Sequence, residues 1–164
     1  MFKNLFARNP DPSKLLYEAI VAAARQPKFY TALGVADTIE GRFDVLILHV
    51  YLVVARLKTE APDLCQKLMN AFCEDMDGNL RELGVGDLGV GKRVRKMAEA
   101  LTGRLYAYDN ANDQNTLEAA LTRNVYHGKE NQHVEALANW VMQSREKLAM
   151  QEIDALKAGL VDFG

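Results

Sequence analysis

The chain has 164 residues, of which 49% are hydrophobic and 26% charged, a composition typical of one soluble globular domain with a sizeable core. Its formal net charge is only −2, so the overall electrostatics give no indication of DNA binding. The two cysteines, Cys65 and Cys73, would lie roughly 12 Å apart on one helix, too far for a disulfide. We therefore expect free thiols, as in the reducing cytoplasm.

We expect residues 1–12 to be a separate N-terminal segment, either a frayed end or a strap on the core, and residues 13–164 to form the domain. The segment has no apolar stretch of signal-peptide length. It carries Phe2, Leu5 and Phe6 beside basic residues, so weak contact with a membrane surface stays open as the alternative. A first helix is predicted after Pro12, and Pro27 ends it.

The central element is predicted in DTIEGRFDVLILHVYLVVARLK, residues 37–58. Asp37 and Glu40 have the spacing of a capping box at a helix start. From Val45 to Ala55 every residue except His49 is apolar or aromatic. Such a run is too short to span a bilayer, but it is typical of a helix that is buried on all sides. A buried strand is the competing interpretation, although the run with its flanks is long for a strand.

Residues 61–84 form the clearest amphipathic helix. Pro62 suits its first turn, and apolar residues recur every third or fourth position, namely Leu64, Leu68, Phe72, Met76, Leu80 and Leu83. Similar spacing favours helices in residues 90–108, 114–127 and 133–150, and a short final helix that stops at Gly159. No stretch alternates with a period of two. The sequence therefore predicts an all-α domain of about six or seven helices around the central apolar helix.

The glycine-rich stretch GVGDLGVGKR, residues 84–93, fits two phosphate-binding patterns, G-x-G-x-x-G and most of a P-loop. Both patterns need a preceding strand, whereas here an amphipathic helix precedes the glycines. A corner between two helices explains them better, with Gly84 in the left-handed conformation after the first helix and Asp87 as N-cap of the second. Gly89 and Gly91 then fall in the first turns of that helix, where they favour close approach of another backbone or a partner.

Two further features leave alternatives open. His49 on the central helix is interpreted as a buried, hydrogen-bonded histidine, with a role as ligand or base as the alternative. The run KRVRK, residues 92–96, is interpreted as a solvated helix face, with binding to phosphates or to an acidic partner as the alternative. No set of residues combines a nucleophile, a base and an orienting group, and no metal or cofactor is predicted.

Three stretches together resemble the ubiquinol–cytochrome c chaperone family. They are GRF at the start of the apolar helix, D-x-x-L-R-E-x-G-V-G-D in residues 77–87, and K-x-x-x-K-M in residues 92–97 followed by G-R at residues 103–104. The resemblance covers about Leu15–Trp140, most of the chain. The short N-terminal part resembles bacterial members more than mitochondrial ones.

The resemblance implies a non-enzymatic role. Mitochondrial members assist assembly of the cytochrome bc complex (respiratory complex III), bind newly made cytochrome b, work with a small partner protein and associate with the ribosome. For this chain it implies the same client at the cytoplasmic face of the membrane, with peripheral membrane contact. The expected partner surface consists of polar residues within or beside the resembling stretches, namely Glu40, Arg42, Asp44, Asp77, Arg81, Asp87, Lys92, Arg93 and Lys96.

Three other interpretations stay open at this point. The polar residues of the expected surface would serve equally well as intramolecular caps and salt bridges. The chain would also suit a small-molecule or haem-binding helical protein or enzyme centred on His49. A structural adaptor of another complex is the third interpretation.

Overall fold

The computed structural model describes residues 10–164, and this part of the chain consists of helices and connecting loops without a strand. Six helices have more than ten residues and two are short. Their bounds are α1 Pro12–Ala24, α2 Lys28–Thr31, α3 Ile39–Glu60, α4 Pro62–Glu82, α5 Asp87–Asp109, α6 Gln114–Asn124, α7 Val134–Met150 and α8 Ile153–Lys157. The all-α prediction is confirmed. Residues 1–9 lie outside the described residues, so neither the expected frayed end or strap nor the alternative membrane contact through Phe2, Leu5 and Phe6 is tested.

Helix α3 is the centre of the domain, as the sequence predicts. It packs against α1, α4, α5 and α7, and residues 47–53 are all buried. A helix that is surrounded on every side must be apolar on every side, which explains the uninterrupted run in the sequence. None of the helices in residues 10–164 is both long enough and apolar enough to cross a membrane.

The start of α3 differs from the prediction. The N-cap is Thr38, whose side chain accepts a hydrogen bond from the Gly41 N–H at 3.1 Å. Asp37 instead accepts a hydrogen bond from Arg42 Nε at 2.7 Å. The Asp37–Glu40 capping box is therefore wrong by one residue, because threonine and aspartate are both good caps and stand side by side here. Gly41 faces the Ala36 carbonyl oxygen so closely that an added Cβ would lie 1.9 Å from it.

The first half of the predicted corner between α4 and α5, the end of α4 at Gly84, is confirmed. Gly84 has φ +81°. The Val85 N–H donates to the Leu80 carbonyl and the Gly84 N–H to the Arg81 carbonyl, at 3.1 and 3.0 Å. This pair of bonds is the Schellman motif. The second half differs, because the N-cap of α5 is Gly86 and Asp87 is the first helical residue without a side-chain capping bond.

Replacing Gly84 by valine is expected to lower the free energy of unfolding by more than about 1 kcal/mol, because a β-branched side chain is strained at positive φ. No atom lies within 4 Å of a Cβ added at Gly84, so backbone strain alone would produce the loss. Gly91→Ala is the matched control, since Gly91 is helical and equally open and alanine favours a helix. Thermal denaturation followed by circular dichroism measures both, and equal stability of the two variants would contradict the expectation.

Candidate functional site

A groove opens between the C-terminal half of α1, the start of α3 and the C-terminal end of α4. It has a volume of about 530 Å³. Its lining is mainly apolar and includes Ile39, Phe43, Leu46, Leu80, Leu83 and Met97. Ile39 and Leu83 are 74% and 71% exposed, so the groove presents large apolar side chains directly to the surface. An exposed apolar concavity of this kind is typical of a binding site for an apolar segment.

Charged side chains surround this groove. Arg42 lies at its edge, where the guanidinium bonds Asp37 and stands 5.7 Å from the centre of the Tyr30 ring. On the opposite wall, Asp75 accepts a hydrogen bond from the Tyr17 hydroxyl at 2.8 Å. Burial raises the pKa of Tyr17 well above its usual range, and the hydrogen bond to the Asp75 carboxylate is the next largest cause. The hydroxyl therefore stays protonated and remains a donor. These contacts hold the edge of the groove in place.

Asp44 is not on the surface, which corrects its inclusion in the predicted partner surface. It lies on α3 and is only 1% exposed. Its Oδ1 is 2.6 Å from Arg104 Nη2 of α5, and its Oδ2 is 3.1 Å from Nε2 of His127 in the loop after α6. His127 has φ +53°, an uncommon conformation for a residue other than glycine. Asp44 therefore joins three parts of the fold.

Burial raises the pKa of Asp44 to about 6, against the opposing effect of the Arg104 and His127 charges. Glu40, on the same helix, adds a smaller upward effect. Arg104 Nε is buried without a hydrogen-bonding partner among the described residues, and the His127 ring is the one charged or polar group within reach of Asp44 Oδ2 there. A charged group of this kind is costly to bury and sensitive to the loss of its counter-charge.

The polar residues at the corner fall into two groups with different surroundings. Arg81 bonds Asp77 at 2.7 Å and also bonds Asp87 across the corner. The Arg81 charge is thus paired with two carboxylates on the surface. Asp87 contacts the end of α4 through Arg81 and does not cap α5. In contrast, the four cations of the KRVRK run are exposed, namely Lys92, Arg93, Arg95 and Lys96. They form no ion pair with any residue in 10–164.

The glycines at the start of α5 are not explained by close approach of another backbone. A Cβ added at Gly89 would meet only the Val85 side chain, at 3.1 Å, and one added at Gly91 would meet no atom within 4 Å. The prediction of a close backbone contact within the domain is therefore wrong for the described residues. The outer face of α5 is left open at this end.

His49 is a buried core residue, as its position in the apolar run predicts. It is 1% exposed, and its Nδ1 lies 2.8 Å from the Val45 carbonyl oxygen. The rings of Phe29, Trp140 and Phe163 surround it at centroid distances of 4.9, 5.0 and 4.7 Å. Burial lowers the pKa of His49 to about 4, so the imidazole is neutral near pH 7.

No group of three or more metal-ligating side chains occurs within residues 10–164. Cys65 and Cys73 are free and partly buried, and burial raises the pKa of both thiols. Thiols in such surroundings are less nucleophilic than exposed ones. The apolar groove is therefore the feature that stands out as a candidate site.

A sequence model of the ubiquinol-cytochrome C chaperone family matches residues 31–163, which include most of the groove's lining. The chain belongs to this family. The match confirms the resemblance carried by the GRF, corner and α5 stretches. It extends beyond them to the C-terminal residues that pack against His49.

The crystal structure of the Cbp3 homolog from Brucella abortus has the same fold. It is 43% identical and superimposes with a TM-score of 0.80, over 92% of this chain and 87% of its own. Two curated relatives, named ubiquinol-cytochrome c reductase complex assembly factor 1, come from Homo sapiens and Xenopus laevis. Each is 25% identical, over 90% and 67% of this chain respectively. The chain spans 52% and 58% of the length of those two relatives.

The apolar pattern of the sequence does not predict the groove. The spacing in α4 predicts Leu83 to be part of the buried stripe, yet it is the C-cap residue and largely exposed. Ile39 is the first residue of α3, ahead of the buried run. An apolar residue at each of two helix ends, outside the core run, is the signal that would have indicated an apolar surface there.

Proposed function

We propose that this protein assists assembly of the ubiquinol–cytochrome c reductase complex by binding newly made cytochrome b in the apolar groove. Family membership supports the role in assembly, and the groove is the observation that carries the binding mode. A membrane protein that has not yet assembled exposes apolar helices, and an apolar groove shields one such helix from water. The role is that of a binding protein without catalysis, at the cytoplasmic face of the membrane.

Four of the predicted surface residues fit this role in different ways. Arg42 lines the groove and Glu40 lies exposed beside it at the start of α3, where both would contact the ends of a bound segment. Asp77 and Arg81 act through the corner, because their ion pair stabilises the end of α4 that forms one wall. Binding to the ribosome or to a small partner protein, which the family suggests, would use surfaces outside the groove.

The test is to replace Ile39 and Leu83 together by serine in a strain that lacks the native protein. Both side chains are exposed, so the variant should fold normally, whereas an apolar client would lose two contacts in the groove. We expect cytochrome b, measured by its reduced-minus-oxidised absorption spectrum, to fall to the level of the deletion strain. The matched control is Met150→Ser with Leu160→Ser, two other exposed apolar residues that do not line the groove.

A photo-crosslinking amino acid at position 83 adds a direct measurement. We expect it to capture cytochrome b, identified by mass spectrometry, while the same amino acid at position 150 does not. Normal cytochrome b in the deletion strain would overturn the role in assembly. Normal cytochrome b in the groove variant alone would overturn the groove as the client site. Co-purification of a different complex instead would favour the structural-adaptor interpretation.

A further inference from the structure

The first two turns of α5 carry an unusual combination of exposed side chains. Leu88 is 99% exposed, although it is a large apolar residue. On a helix, Lys92, Arg95 and Lys96 follow Leu88 at spacings of four, seven and eight residues, which places all four on one face. Arg93 borders that face. Single exposed leucines are common, so the inference depends on the four cations that accompany this one.

These cations are available to a ligand. Lys92, Arg93, Arg95 and Lys96 have no acidic partner in residues 10–164, unlike Arg81, which two aspartates neutralise. The whole chain has a net charge of −2, so this positive face is a local concentration of charge rather than a general property. Glu99, exposed one turn later, marks its C-terminal limit.

We propose that Leu88 and these four cations form a surface that binds an anionic phospholipid bilayer. Leu88 enters the interfacial region, and the cations lie at the level of the lipid phosphates. Each basic residue near an anionic bilayer strengthens binding roughly fivefold, and an apolar side chain that leaves water adds to this. From Leu88 to Lys96 the face is about 12 Å long, which allows several headgroups to contact it at once.

The apolar residue favours a bilayer over a nucleic acid. Surfaces that bind single-stranded RNA combine cations with aromatic side chains on which bases stack. The exposed aromatic residue of α5 is Tyr106, ten residues beyond Lys96 and therefore roughly 15 Å away along the helix. A leucine that projects among cations has no such stacking role, but it suits insertion between lipid headgroups.

The surface also gives the groove a position relative to the membrane. Leu83, which lines the groove, ends α4 just before the turn that leads to Leu88. A bilayer that contacts Leu88 would therefore lie next to one end of the groove. The lipid surface does not depend on the proposed client, because vesicle binding can be measured with the purified protein alone.

The experiment is flotation of the purified protein with two kinds of vesicle, phosphatidylcholine alone and phosphatidylcholine with phosphatidylglycerol. We expect binding only to the second, with weakening at high salt. Reversal of Lys92, Arg93, Arg95 and Lys96 to glutamate should reduce the partition coefficient by more than about 100-fold. Leu88→Ser should reduce it roughly 10-fold.

Two control variants match the test variants in their change of net charge and in their loss of an exposed leucine. Lys14, Lys67, Arg123 and Lys129 are exposed elsewhere, and their reversal to glutamate changes the net charge equally. Leu160→Ser removes another exposed leucine. Both controls should bind vesicles like the unaltered protein. The proposal would be overturned by an equal loss of vesicle binding in the charge control, or by unchanged vesicle binding of Leu88→Ser. It would also be overturned if the variant with all four cations reversed kept vesicle binding but lost binding to an RNA oligonucleotide.

Discussion

Replacing Arg104 by methionine is expected to lower the free energy of unfolding by about 3–5 kcal/mol at pH 7, the usual cost of removing one partner of a buried ion pair. Asp44 is 1% exposed and depends on Arg104 Nη2 at 2.6 Å. Methionine keeps much of the side-chain volume but supplies no charge. Urea denaturation at pH 7 measures the loss.

The same loss should become smaller at pH 5. Burial raises the pKa of Asp44 to about 6, so its contribution to stability is fully present below the unfolded pKa near 4 and is lost as the pH rises through 6. Without Arg104 the pKa rises further, since the attractive charge on α5 is gone. At pH 5 the carboxyl is therefore mostly protonated in both proteins, and the missing guanidinium matters less.

Two further variants identify the cause of this loss. The double variant Asp44→Asn with Arg104→Met removes both charges, and it should recover much of the stability at pH 7. Arg81→Met removes an arginine whose two ion pairs lie on the surface, so its effect should be far smaller. A loss for Arg104→Met that is equal at pH 5 and pH 7 would contradict the ionic explanation and indicate packing instead.

Replacing Leu48 by alanine is expected to lower the free energy of unfolding by about 2–5 kcal/mol, because a buried leucine loses both its transfer energy and the packing around the cavity it leaves. Leu48 is fully buried on α3, the helix on which α1, α4, α5 and α7 pack. The matched control is Leu88→Ala, at a position that is 99% exposed. There the change should stay within about 0.5 kcal/mol.

Denaturant unfolding followed by circular dichroism measures both leucine variants. A loss below about 1 kcal/mol for Leu48→Ala would mean that the core closes around the missing atoms. It would contradict the view of α3 as the tightly packed centre of the domain.

The local features of the fold are predictable from the sequence because they depend on residues that are neighbours in the chain. The uninterrupted apolar run predicts α3, and the period of apolar residues predicts α4, α5 and α7, with small errors at their ends. Gly84 was placed correctly in the left-handed conformation, and Gly159 was predicted as the stop after α8 and has φ +76°. Thr38 was missed as the cap of α3 because Asp37 beside it is an equally good capping residue.

The candidate site is less predictable from the sequence, because it depends on how helices that are far apart in the chain pack together. Asp44 looks like an exposed residue at the polar entry to α3, but Arg104 and His127 approach it only in the folded domain. Arg81 and Lys92 are both basic residues near the corner. Only the fold shows that Arg81 is neutralised by two aspartates while Lys92 is free of any partner within residues 10–164.

The all-helical class, the central apolar helix, the glycine corner and the family follow from the sequence, because periodicity, turn chemistry and motifs are local. Which polar residues are buried, and which apolar residues at helix ends are exposed, depends on how the helices pack. Ile39 and Leu83 end on the walls of one groove because α1, α3 and α4 pack side by side there and leave their ends open. The exposure of a residue at a helix end depends on all the helices packed around it, so no single segment of the sequence shows it.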